Sequence, residues 1–286
     1  MLTVFVSITA LGQSTFSGTG NWSTAARWSN GVPTSGTAVT IASGANCTVD
    51  VAASCASLTF AAVNATSLVT ISGTNSLTVT GLISMPRPAT GFTCTIAVGA
   101  GTLSCGSLTM SATATTRNDI LSISTGTVTI SGAITTGTTG CQFTFTGAGT
   151  MYVGGSFSST PTITTVTGST VNYNGSGAQT ARVATYANLT LSGSGVKTFS
   201  TTPTVNGVLS MEGTATITVT TGVVTYGANA TLQYNTATAR TTSAEEWITP
   251  FAATGGVIIT NTGTITIDAA KVFNASIPLT INNGAT

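Results

Sequence analysis

Five short stretches of the chain repeat one pattern, and that repeat restricts the fold more than any other feature. SLTVTGLISM at 76–85, GTLSCGSLTM at 101–110, GTVTISGAIT at 126–135 and GTMYVGGSFS at 149–158 each give a short strand, a glycine, then an apolar residue followed by Ser or Thr. The shared glycines, Gly81, Gly106, Gly132 and Gly155, are about 25 residues apart. PTVNGVLSM at 203–211 is close to a copy of LTVTGLISM and puts Gly207 about two periods further on. Each period holds two or three strand-like segments, such as TLQY at 231–234 and TITID at 264–268, separated by Gly, Ser or Asn turns. A strand-only repeat of 20–30 residues is one coil of a β-solenoid, in which strands pair along the axis about 4.8 Å apart. The expectation is an all-β parallel β-helix of about 25 residues per coil and roughly eleven coils, a rod on the order of 50 Å long. Val, Ile, Leu, Phe and Ala would face inward, with Thr, Ser and Asn ladders outside. An antiparallel sandwich would need hairpin turns every 8–12 residues and would leave the longer period unexplained.

Composition agrees. The 286 residues include only 7 Lys+Arg, 6 Asp+Glu and no His, for a net charge of +1. About a third are Ser or Thr, yet 41% are hydrophobic, enough apolar surface to fold rather than stay disordered. Val, Ile and Thr favour strands over helices. No basic patch offers itself to nucleic acid, and no apolar run approaches the length of a membrane span. Little charge repulsion holds copies of the chain apart.

Organisation is read as three parts: an N-terminal strand over 1–19, a cap with the first coils over 20–60, and repeats over 61–286. Two segments break the repeat. ATARTTSAEEWITPFAATGG at 237–256 reads as an excursion, in which Ser243 to Glu246 has capping-box spacing for a short helical turn ended by Pro250. MPRPATGF at 85–92 reads as a surface loop. Trp22 and Trp28, in a Gly/Pro-rich loop, fit a lid over the first coil; the competing reading has them stack on a sugar. Cysteines 47, 55, 94, 105 and 141 include no CxxC pair, and the chain has no His, which argues against zinc. Cys47 with Cys55 and Cys94 with Cys105 have spacings open to disulfides; the alternative is that all five are small apolar core residues.

Residues 20–60 resemble the opening of many bacterial surface β-helix proteins, through Trp22, Trp28, Gly31, Pro33, Val39, Ile41 and Ser57-Leu58-Thr59. An Asp that the family often has before the Val-x-Ile strand is replaced here by Thr37 and Ala38. YANLTLSGSGVKTFSTTPTVNGVLSM at 186–211 is similar to repeats of very large exported adhesins and filament-like proteins of Bacteroidetes type. The resemblance implies a secreted right-handed parallel β-helix, extracellular or at the cell surface. It names no ligand.

The residue inventory argues against an enzyme. Without His, a Ser or Cys nucleophile lacks its usual base. The carboxylates at Asp50, Asp119, Glu212, Glu245, Glu246 and Asp268 are scattered, and Asp268 with Lys271 reads as a surface ion pair. No Asp recurs in every turn as calcium-binding β-rolls require, so neither metal nor cofactor is expected. Seven Asn-x-Ser/Thr sequons are close to the number that so much Ser and Thr gives by chance.

Three functions compete. The first is a structural subunit of an extracellular fibre that assembles with itself, end to end or by strand exchange, because open solenoid ends template pairing. The second is an adhesin stalk or glycan-binding module. The third, ice binding, needs Thr-x-Thr pairs such as Thr216-Ile217-Thr218 once per coil, and in the linear sequence they do not recur at that interval. The segment MLTVFVSITALGQS bears on the first: Leu2, Val4, Val6 and Ile8 alternate as an assembly strand does, although Ala10-Leu11-Gly12 also resembles a signal-peptidase site. PLTINNGAT at 278–286 stops mid-repeat, which suits either a fragment or a coil that meets another subunit.

Overall fold

The computed structural model describes residues 12–61, 64–157, 161–282 and 284–285. They form a parallel β-solenoid of about 11 turns with about 23 residues per turn. Every strand pairing is parallel, from Gln13–Phe16 on Ala38–Ile41 at one end to Val257–Ile259 on Leu279–Ile281 at the other. The one helix among the described residues is a single 3-10 turn, Ala25–Arg27. Thr127–Ile130, Ile134–Thr136 and Cys141–Phe145 illustrate a full coil: the first two both pair with Thr102–Met110 of the coil before, and the third pairs with Asn118–Ile123. We call the wall that carries Ser76–Val79, Thr102–Cys105, Thr127–Ile130 and Thr150–Val153 the first wall, and follow the chain direction for the second and third.

Alternation sorts the side chains. On the third wall Val69, Ile96, Leu121 and Phe143 stack in register and are all buried. On the first wall Leu77, Leu103, Val128 and Met151 do the same. Register is strongly fixed here, because a slip of one residue would turn each apolar column to solvent.

Coils are unequal, which corrects the expected period of 25. Thr102, Thr127, Thr150, Thr170 and Asn188 occupy one column of the first wall, so successive coils shorten along the chain before lengthening again. The walls keep their length while the corners absorb the change. One corner explains the glycines of the repeat. A Cβ on Gly132 would stand 2.5 Å from the Gly106 carbonyl oxygen, and one on Gly155 would stand 2.3 Å from the Gly132 carbonyl carbon. Gly132 N–H donates to Gly106 O (2.6 Å) and Gly155 N–H to Gly132 O (3.1 Å), so this corner is a backbone stack with no room for a side chain. Gly207 is not in that stack. Its N–H donates to Ala187 O, and it lies before the first-wall strand Val208–Glu212, whereas Gly81 follows the first-wall segment Ser76–Val79. LTVTGLISM and PTVNGVLSM look alike because both cross a corner as strand–Gly–strand, but they cross different corners.

Residues 237–256 are built into the coil. Arg240–Thr241 pairs with Ile265–Thr266, Phe251 bridges Phe273, and Trp247 and Phe251 are buried. The capping-box bonds form, with Ser243 N–H and Oγ–H donating to the Glu246 carboxylate and Trp247 N–H to Ser243 O, but the chain leaves after that one turn.

Candidate functional site

The two ends of the solenoid differ, and that difference is its most distinctive surface feature. At the N-terminal end, Gly12 O and Phe16 O accept from Ala38 N–H and Ala42 N–H. In a strand the intervening groups, those of Gln13, Thr15 and Ser17, then point to the opposite edge. The chain closes that edge itself. Ser17 N–H donates to Arg27 O (3.1 Å) and Ser29 N–H to Thr15 O (3.0 Å), around an antiparallel bridge between Phe16 and Trp28. Thr15 N–H donates to Ser29 Oγ (3.0 Å), and Asn30 Nδ2 donates to Gln13 O (2.6 Å). Asp50, one coil on, fixes the loop by accepting from Ser23 N–H (3.1 Å) and Ser23 Oγ (2.6 Å).

Trp22 and Trp28 lie beneath this loop, 1% and 6% exposed, with ring centroids 4.7 Å apart and edge to face. Trp28 also meets Phe16 at 5.0 Å, and its indole N–H donates to Trp22 O (2.7 Å). Buried on this scale, neither ring has a free face for a sugar; both serve as core for the end of the rod.

The C-terminal end has no such cover among the described residues. Leu279 and Ile281 stand in register with Val257 and Ile259, which are buried, yet they are 47% and 54% exposed. Val257 N–H donates to Pro278 O and Asn282 N–H to Ile259 O, so the backbone groups of Leu279 and Ile281 point the other way. Ile267 and Val272, also on the last coil, are 53% and 55% exposed. The sequence expectation of a lid over the first coil rested on Trp22 and Trp28; the bonds that close the edge come from the run Arg27 to Asn30. The assembly residues Leu2, Val4, Val6 and Ile8 lie outside the described residues.

Elsewhere most of the reactive groups are buried. All five cysteines are free thiols in the core, so the pairings Cys47 with Cys55 and Cys94 with Cys105 are not made. The reason is placement: Cys47 stacks on Val69 in the third wall, whereas Cys55 stacks on Val79 in the first. Asp119 is fully buried, in register between Cys94 and Cys141. Its Oδ2 accepts from Ser111 N–H (2.7 Å) and Ala112 N–H (2.8 Å), while Oδ1 has no partner, and burial pushes its pKa up to about 7. Glu246 is buried too, and desolvation raises it above the usual carboxylate range against the bonds from Ser243. Lys197 is fully buried and donates to Gly175 O, Ser194 O, Gly177 O and Gln179 Oε1 at 2.6 to 3.2 Å. Asp268 and Lys271 do pair, at 2.6 Å, but the Lys271 side chain is only 5% exposed and also donates to Trp247 O, so the pair is half interior. Among the described residues no group of three metal-ligating side chains comes together, and no helix is long and apolar enough to cross a membrane.

Compared with known proteins, the chain matches no family model, no curated protein and no solved structure. What the fold defines is a class, the parallel β-solenoid; the resemblance of residues 20–60 and 186–211 to bacterial surface proteins finds no support beyond it.

Proposed function

We propose that this protein is a structural subunit of an extracellular or cell-surface fibre, in which the open C-terminal edge of one copy receives the N-terminal strand of the next. The observation that carries this reading is the exposed pair Leu279 and Ile281, inward-facing residues whose column continues the buried Val257 and Ile259 and has no cover among the described residues. A further strand with apolar residues at every second position would complete that column, and Leu2, Val4, Val6 and Ile8 have that spacing. The closed N-terminal edge favours strand exchange over face-to-face stacking of whole ends, since Ser29 and Asn30 already occupy the bonds a stacked coil would use. A net charge of +1 and a strand-rich, Thr-rich surface suit dense self-association.

Sedimentation velocity and electron microscopy of the full chain test the proposal. Filaments are expected, together with their loss both in a chain lacking residues 1–11 and in Ile281→Pro, which removes an edge donor without touching the existing ladder. A wild-type chain that stays monomeric at high concentration, or filaments that survive both changes, would refute it.

A further inference from the structure

The register brings hydroxyl residues of three of the repeats into one ordered array. On the first wall, Ser76 and Thr78, Thr102 and Ser104, and Thr127 and Thr129 form three consecutive rows of two outward hydroxyls. Along the axis the rows repeat at about 4.8 Å, and within a row the two hydroxyls are about 7 Å apart, two residues along a strand. Among the described residues none of the six hydroxyls makes a hydrogen bond. Thr150 extends one column into a fourth row, and Tyr152 ends the other.

Three further facts make this a surface rather than a decorated strand. The rows are backed by buried partners in register, Leu77, Leu103 and Val128 with Val79, Cys105 and Ile130, which hold the sheet rigid. The strands Ser76–Met85, Thr102–Met110 and Thr127–Ile130 contain no charged residue. Four of the six are Thr, stiff at χ1, so their hydroxyl and methyl positions are set by the backbone and little entropy is lost on ordering what binds them, while Ser76 and Ser104 add a hydroxyl alone.

We infer that this face binds ice. A rigid, uncharged grid of six hydroxyls, four of them with a neighbouring methyl, spaced close to the oxygen repeats on an ice prism plane, orders water into the lattice instead of hydrating as separate groups. Glycan recognition draws on different chemistry, aromatic platforms and charged or amide groups converging in a concavity, and these three rows hold none of it. Thr-x-Thr itself does not recur once per coil, as the sequence indicates: of the three rows only Thr127-Val128-Thr129 has that form, and serine at Ser76 and Ser104 completes the grid. The inference is independent of fibre assembly, since the array lies on a side wall and not at an end.

The experiment is thermal hysteresis and partition of the fluorescently labelled full chain into a growing ice front, for the wild type and for Thr102→Lys/Thr127→Lys. The two lysines are outward and leave the melting temperature nearly unchanged. Wild-type hysteresis and ice incorporation are expected, both falling at least tenfold in the double variant and unchanged in Thr48→Lys on the third wall. Absence of both in the wild type overturns the inference. So does ice binding that the two lysines leave intact, and so does retention on a crystalline polysaccharide in place of ice.

Discussion

Asp119 makes the stability of this solenoid depend on pH in an unusual direction. Its carboxyl is fully buried between two thiols, with one oxygen held by two backbone N–H groups and the other unpaired. Desolvation exceeds the stabilising effect of the two bonds and lifts the pKa from 3.8 to about 7. The folded state therefore holds its proton more tightly than the unfolded chain. Stability from this group is fully present below the unfolded value and is lost as pH rises through about 7. At about 1.4 kcal/mol per pH unit, the gap amounts to about 4 kcal/mol between about pH 4 and about pH 8. For a chain of this size that is on the order of 10 °C in Tm. No histidine obscures the window. Asp119→Asn isolates the contribution, because the amide oxygen keeps the Ser111 and Ala112 bonds while ionisation is abolished. Circular-dichroism melts of the two proteins across this range are the assay. The wild type is expected to lose Tm with rising pH and the variant to lose less, so that the variant is the more stable of the two at about pH 8. Parallel curves for the two proteins would refute the reasoning, as would a wild-type Tm that rises from acid to neutral pH.

Three further outcomes follow from the packing. Gly132→Ala puts a Cβ 2.5 Å from the Gly106 carbonyl oxygen and should cost about 1–3 kcal/mol in denaturant unfolding, whereas Gly177→Ala, with nothing within 4 Å, should cost nothing measurable. Lys197→Met strips the ammonium from the buried carbonyls of Gly175, Gly177 and Ser194 and should destabilise by about 3–5 kcal/mol, read the same way. Burial pushes Cys47, Cys55 and Cys105 up to about 12 and Cys141 to about 11, so the native protein should resist thiol reagents, and all five thiols should label once it is unfolded without reductant. Fewer than five on unfolding would mean that a disulfide exists.

The sequence foretold the fold because apolar alternation and glycine spacing are local signals, and local signals suffice to name a wall and a corner. It overestimated the coil because it averaged over the wrong quantity. The strands of a solenoid are held to a common length by their neighbours, but a corner is free to lose residues as long as its ends still meet. Thr150 to Thr170 to Asn188 therefore closes the same circuit with fewer residues than Thr102 to Thr127. A fixed period drifts out of phase within two such coils, so Gly207 falls about two periods after Gly155 in the sequence yet lies at another corner.

The same reasoning explains which parts of the surface were readable. Trp22 and Trp28 stood out because aromatics are rare in this chain, yet their role rests on Ser29 and Asn30, ordinary residues in a sequence full of Ser, Thr and Asn. Polar residues this common carry no individual signal; only register shows which of them face a strand edge, which fall into columns and which merely fill a turn. The hydroxyl rows at Ser76, Thr102 and Thr127 and the closing loop at Arg27 to Asn30 are thus one kind of information, specified by pairing between coils rather than by any residue alone. The open edge at Leu279 and Ile281 is the converse case. Apolar residues in the last described coil read as core in the sequence, and their exposure emerges only from the register, which gives that strand one neighbour among the described residues. A strand added there would bury two aliphatic side chains at about 1.5–3 kcal/mol each before its ordering entropy is counted. Two or three donated backbone bonds at about 1 kcal/mol each bring the gain level with the cost of fixing a few residues. Assembly through this edge is therefore expected to be concentration-dependent and reversible, and a single proline at Ile281 is sufficient to tip it.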